Sequence, residues 1–386
     1  MTTTFSSADL GKRLIRYEDW VPCKAAFIDC KTPGSDQKDN YSFVGVGVSQ
    51  SSDQFVNVNI PHGYQLGAAG MPQGVSNSLH LHFTAEVFIN LGGEFRLRWG
   101  PNGEQGNYIS TDGDVISVPT WIFRGFTNIG PDDGILYTTL GRDDTGGIIW
   151  GPQVLKEAEG HGLFLSRDSK LVDTTTGQVM PADTDRIVPL TEDQLAELDV
   201  FTEQDFRSRV VTREDRRYED NALLCSVLEG GGARLALVIG YGLSEHRRQV
   251  PNIHEPHGFS AAWLSADPGQ GVLAHSLPVD QTLTCAAGRW KVTLNPGKDE
   301  VTVELGKRDA LSIPAGVRRV FECLSTSEEG HADLYVVTSG DGRVEINWDD
   351  SVIAAAEEAG VALDPNHYVA PVSFLISAGL MPVSQG

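Results

Sequence analysis

The sequence predicts a mainly β protein built from two tandem copies of one domain, and two observations carry that reading. Glycine and proline number 42 and 19, and short β-branched and aromatic runs end repeatedly in Gly, Asp, Asn or Pro, the punctuation of strands and turns. The chain also matches itself at an offset of 195 residues. Gly45, Gly47 and Ser49 recur as Gly240, Gly242 and Ser244, and Pro61-His62-Gly63 recurs as Pro256-His257-Gly258. The register then runs without a gap through Gly74/Gly269, His80/His275, Gly93/Gly288, Asp114/Asp309, Pro119/Pro314 and Arg124/Arg319. Chance supplies scattered Gly and Pro matches, but not matched His and Arg in one unbroken register.

In chain order, residues 1–149 are read as the first copy, 150–210 as a linker with a short helix, 211–345 as the second copy and 346–386 as a helical tail. Within the linker, Thr191 to Gln194 makes a capping box, followed by apolar Leu195, Leu198 and Phe201 at helical spacing. The tail segment SVIAAAEEAG reads as a helix that starts at Ser351 and stops at Gly360.

Composition narrows the function classes. A chain of 386 residues is long enough for two cores. Against 52 Asp+Glu stand 30 Lys+Arg, a formal charge of −22, and the basic residues form no stripe. Such a field repels phosphate backbones and anionic lipid, so neither nucleic acid nor membrane is an expected partner. An anionic substrate would need locally placed arginines. The segment MTTTFSSADLGKRLIRYEDW lacks the apolar core of a signal peptide. No stretch reaches the roughly 20 apolar residues of a membrane span, so a cytoplasmic protein is expected. Cys23, Cys30, Cys225, Cys285 and Cys323 are scattered, odd in number and without a C-x-x-C pair, which fits a reducing compartment. The G-x-S-x-G elbow, the Walker loop and the Rossmann glycine fingerprint are absent.

The chemistry lies in GVSNSLHLHFTAEVFINLGG, which places Gly74, His80, His82, Glu86 and Gly93 in one constellation. Histidines at i and i+2 of a strand project to the same face, and Glu86 lies close along the same hairpin, so three ligands can converge on one ion. A second segment, GDVISVPTWIFRGFTN, runs from Gly113 through Pro119 to Asn128. The flanking glycines, Pro119 and Asn128 weigh against two histidines with no ion to hold.

Together these segments resemble the two motifs of the cupin superfamily, and the likeness covers most of each repeat. The resemblance implies two tandem double-stranded β-helix (jelly-roll) barrels, a bicupin. It also implies a metal held by His80, His82, Glu86 and a histidine of the second motif. At that last position stands Arg124, which stays protonated and cannot ligate a cation. Two outcomes remain: a 2-His-1-carboxylate site with open positions, or a site in which Arg124 pairs with Glu86 and the metal is lost. In the second copy the matching positions are His275, Leu277, Gln281 and Arg319, a poor ligand set, so that barrel is expected to be structural.

Arg124, if it points inward, can clasp a substrate carboxylate or steady a developing oxyanion. Arg96 and Arg98, at i and i+2 of a strand, and Trp121 are further substrate-binding candidates, with solvent exposure as the alternative for the arginines. His62 is a candidate base, although its twin His257 lies in the barrel expected to be metal-free. The cluster His254-Glu255-x-His257 contains a proline, is read as a loop and has no mirror in the first copy.

The second motif, with Pro119, Trp121, Asn128 and the GPDDG that follows, also resembles that of gentisate-type ring-cleaving dioxygenases. From this follows the expected function: a non-haem iron dioxygenase acting on a small aromatic or enolic carboxylic acid with O₂. The ligand set suits Fe(II), and also Mn, Ni, Zn or Cu. The alternatives are a metal-dependent isomerase, lyase or decarboxylase of a hydroxy or sugar acid, and a metal-free small-molecule-binding bicupin. A homo-oligomer is expected, because exposed strand edges of such barrels are often covered by exchange.

Overall fold

Along Phe95–Trp99 the side chains of Phe95, Leu97 and Trp99 are buried while Arg96 is exposed. This is the period of two that a strand with one face on the core requires. Gly106–Ser110 and Val301–Leu305 show the same alternation at sheet edges, whereas Val115–Val118 and Phe259–Ser265 are buried throughout. In the computed structural model, which describes residues 4–297 and 299–382, these strands build two compact units.

One unit spans Trp20–Glu214. Its seven-stranded sheet runs in the order Val210–Val211, Val115–Val118, Glu86–Asn90, Gly134–Gly141, Tyr64–Met71, Asp39–Val44, Val56–Val58. Its five-stranded sheet runs Ile148–Trp150, Ser76–His82, Arg124–Asn128, Phe95–Trp99, Gly106–Ser110. All pairings are antiparallel except that of Asp39–Val44 with Val56–Val58. The other unit repeats both sheets with the same strand counts. Both are therefore double-stranded β-helix barrels, and the fold is that of a bicupin.

The repeat survives where geometry demands it. Gly74 and Gly269 sit at φ +79° and +80° in matching turns, a region that favours glycine. Asp114 accepts the Thr111 N–H at 2.9 Å and Asp309 accepts the Gly306 N–H at 3.0 Å, so the matched aspartates close the same turn.

The unit boundaries differ from those expected. Residues up to Asp19 belong with Asp215 onward, and the segment 150–210 belongs with the first barrel. Leu14–Ile15 pairs with Ala310–Ile313, and Val210–Val211 pairs with Val115–Val118 in the matching place. Arg13 Nη1 donates to Ser312 Oγ at 2.8 Å as Arg209 Nη1 donates to Ser117 Oγ at 3.1 Å. The leading strand of each copy thus edges the barrel of the other, a crossing that no local pattern signals.

The helices follow their caps. Glu192–Ala196 begins at Thr191 with a complete capping box but lasts one turn. A second short helix, Glu203–Arg207, brings Phe206 against Trp99, rings 4.1 Å apart and stacked. The tail helix Asp350–Glu358 starts one residue before Ser351, and Gly360 follows its end at φ +87°. Pro152–Gly160 forms a further linker helix, marked by proline in its first turn. Among the described residues no helix is long and apolar enough to cross a membrane.

Candidate metal centre

The ligand strand Ser76–His82 carries a β-bulge: Arg124 faces His80 and Phe126 faces Asn77, so Ser78 and Leu79 together oppose Gly125. The bulge keeps Asn77, His80 and His82 on one face. Glu86 opens the next strand of the chain, Glu86–Asn90, in the seven-stranded sheet, and the ligand atoms of His80, His82 and Glu86 lie within 4.8 Å of one another, all buried. Among the described residues this is the one group of three such side chains.

His80 fixes its own tautomer. Its Nδ1 lies 2.7 Å from the Ser78 carbonyl, to which it can only donate, leaving the Nε2 lone pair free. His82 places Nε2 3.4 Å from Glu86 Oε2, and neither of its ring nitrogens nor Glu86 Oε2 has a hydrogen-bond partner. Burial, then the neighbouring His82 and Arg124, push His80 well below the usual imidazole range; burial also lowers His82, opposed by Glu86 and joined by Arg124. Burial alone would raise the Glu86 carboxyl, but the His82 ring and the Arg124 guanidinium outweigh it and hold it at about 2. Two neutral imidazoles and a carboxylate make a donor set that fits a divalent transition metal, although Glu86 Oε2 also faces Arg124 Nε at 3.3 Å, the ion pair that was the alternative to a metal here.

Arg124 points inward, as its motif position implies. It is buried, its Nη1 donates to the Ile122 carbonyl at 2.9 Å, and its Nε lies 3.3 Å from Glu86 Oε2. Burial lowers it to about 10, with Glu86 acting in the opposite direction, so it stays charged at neutral pH. Its Nη2 is buried with no partner. The second copy shows what a fully employed arginine looks like: Arg319 donates to the carbonyls of Val317 and Pro314, each at 3.0 Å, and to Gln281 Oε1 at 3.3 Å.

A cavity of about 640 Å³, mouth included, opens beside the triad. Phe126, Leu140, Ile148 and Trp150 give it apolar walls. Sequence reasoning missed Trp150 and Asn77. Both line the cavity, and the buried Trp150 Nε1 lacks a partner.

The other candidates lie elsewhere. Arg96 and Arg98 share the outward face of Phe95–Trp99, opposite buried Leu97, because the strand's phase is set by the three apolar residues that alternate with them. Trp121 is half exposed at φ +63° and meets the edge of Phe83 at 5.5 Å, not the cavity. His62 closes a turn: its Nδ1 lies 2.6 Å from the Ile60 carbonyl while Asp143 accepts its backbone N–H at 2.8 Å. His257 repeats this with Glu255 and Asp341, so the matched histidines serve the repeat's architecture. His254 and Glu255 are exposed.

No family model matches the chain, and no curated protein matches it. Solved structures do match over nearly full length. An oxalate decarboxylase from Lactobacillus farciminis in a formate complex is 12% identical, with 92% of this chain and 91% of that one covered and a TM-score of 0.52. A variant oxalate decarboxylase from B. subtilis covers 99% of this chain and 86% of that one at 10% identity and TM-score 0.52. Tomato vicilin covers 87% of each chain at 11% identity and TM-score 0.50. These likenesses define the chain as a two-barrel cupin by fold. They do not carry the similarity to gentisate-type dioxygenases.

Proposed function

We propose that this chain is a metal-dependent oxidoreductase, a non-haem iron dioxygenase whose substrate is a small carboxylic acid held by Arg124. The observation that carries this reading is a buried His80, His82 and Glu86 triad beside an arginine whose Nη2 has no protein partner. A bound Fe(II) would supply redox chemistry with O₂ at coordination positions left open by three protein ligands. The chain's own residues do the rest. Arg124, which touches Glu86 but is not among the residues lining the cavity, would offer a permanent charge and its Nη2 N–H to a carboxylate bound beside the triad. Glu86 stays ionised, and the histidines stay neutral. The apolar walls limit water at the reacting centre.

The apolar walls suit the hydrocarbon part of a small aromatic or enolic acid. A second reading is non-oxidative decarboxylation of a small acid with the metal as Lewis acid, and the fold likeness to oxalate decarboxylases favours it.

The test is the metal content of protein purified anaerobically, beside the His80→Ala/His82→Ala variant, followed by O₂-uptake assays with small acids. Near one transition metal per chain in the parent, almost none in the variant, and O₂ consumed with substrate is the expected result. Metal with turnover but no O₂ uptake would select the decarboxylase reading. A folded parent without metal would leave a metal-free binding barrel.

A further inference from the structure

Behind His80 lies a buried ion pair that neither the fold nor the metal set requires. Lys38 and Asp29 are 2% and 0% exposed, and Lys38 Nζ donates to both Asp29 oxygens, at 3.1 and 2.9 Å, and to Asn77 Oδ1. From this pair two arms reach the ligand. Asp29 Oδ2 accepts the Ser78 N–H at 3.2 Å, and the Ser78 carbonyl takes the His80 Nδ1–H. The Asn77 amide, its oxygen taken by Lys38, packs Nδ2 3.3 Å from His80 Nδ1; with the Nδ1 proton given to Ser78 both groups are donors, so Asn77 meets the ring by contact and not by a hydrogen bond. Both arms end in the bulge that sets the face of His80.

The second barrel provides an internal control. Strand registers align Lys38 with Ala233 and Asn77 with Val272, and the same bulge recurs between Val272 and His275. The Leu273 N–H, which corresponds to that of Ser78, bonds to Cys225 in place of a carboxylate. Cys225, Ala233 and Val272 are packed in that barrel's apolar core. His275 still lies 2.8 Å from its own backbone acceptor, the Leu273 carbonyl. The barrel, the bulge and the histidine's carbonyl contact thus form without charge. A buried ion pair is rarely retained for stability, since apolar replacements serve as well or better. Here the charged version occurs in the copy that has the triad, and its polar groups converge on a ligand.

We propose that Asp29, Lys38 and Asn77 are positioning residues for the metal centre, restricting the motion of the His80 ring within a bulge that the fold makes without them. The inference rests on the metal reading above. Outer groups that orient a ligating histidine typically account for 10–100-fold in metal affinity.

The test is the triple variant Asp29→Cys/Lys38→Ala/Asn77→Val, which installs the second barrel's apolar set without stranding a charge. Asn77→Ala, which leaves the ion pair intact, serves should the triple variant not fold. Co(II) affinity is measured by chelator competition, and His80 ring ¹⁵N line widths by long-range ¹⁵N–¹H correlation on metal-free protein. Expected are an unchanged thermal midpoint without metal, Co(II) binding weakened roughly 10–100-fold in the triple variant and several-fold in Asn77→Ala, and broadened His80 ring ¹⁵N signals that report a less fixed ring, the Nδ1–H tautomer itself being kept by the Ser78 carbonyl as it is at His275. Co(II) affinity within twofold of the parent, or unchanged His80 line widths, would overturn the proposal. A parent that binds no Co(II) defeats the metal reading instead, and the His80 line widths still decide the positioning role.

Discussion

Arginine at position 124 replaces a potential ligand with a permanent cation, and the two roles can be exchanged. Arg124 faces His80 across the strand pair and touches Glu86, so a histidine there would approach the same space as a fourth nitrogen donor. Arg124→His also frees Glu86 from its charged neighbour. The expected outcome is Co(II) affinity raised roughly tenfold, about 1.4 kcal/mol, with loss of small-acid binding, read by competition and acid titrations. An unchanged metal affinity would place the side chain outside the coordination sphere. The triad was legible in the sequence because i, i+2 spacing on a strand fixes a common face. Arg96 and Arg98 obey the same rule, yet which face is inward depended on Phe95, Leu97 and Trp99, and those took the core. Lys38 and Asn77 were concealed because a lone polar residue carries no period, although their apolar partners Ala233 and Val272 in the repeat were a usable signal.

Among the elements, Glu245 ties three segments of the second barrel together. Its carboxylate accepts the Leu224 N–H at 2.6 Å and Trp348 Nε1–H at 2.8 Å, and its carbonyl accepts the Val369 N–H at 3.0 Å. Burial nevertheless outweighs these donors and raises the group from 4.5 to about 7. Folding therefore takes up a proton between those values. The stabilisation is complete below pH 4.5 and is lost as pH rises through 7, an effect on the order of 3 kcal/mol at 1.36 kcal/mol per pH unit. Urea unfolding from pH 4.5 to 8 should show the parent losing about this much more stability than Glu245→Gln, because the buried histidines His80, His82 and His275 contribute the same opposing rise to both profiles. Parallel profiles for parent and variant would assign the effect to another group. Element boundaries followed local chemistry where a cap was present, as at Thr191 and Gly360. The crossing of Leu14–Ile15 and Val210–Val211 was invisible because each strand matches both barrels equally well, and only the connection decides.

At the scale of the molecule, one barrel has a ligand set and the other has filled the same space with His275, Leu277, Gln281 and Arg319. Metal that binds the folded state alone stabilises it by RT ln(1 + [L]/Kd), about 2.7 kcal/mol at a hundredfold excess over Kd. That stabilisation belongs to the unit Trp20–Glu214. A charge of −22 also gathers divalent cations diffusely at low salt, but about 0.15 M salt screens exposed charges beyond ~8 Å. Hydrogen exchange at that salt, with Co(II) and then with chelator, separates the two effects. Removing metal should speed exchange up to roughly a hundredfold in Ser76–His82, Glu86–Asn90 and Arg124–Asn128. It should leave Gly271–Ser276, Gln281–Ala287 and Arg319–Ser325 unchanged. Equal changes in both units, or a change that survives His80→Ala/His82→Ala, would mean that the acidic surface and not the triad holds the ion.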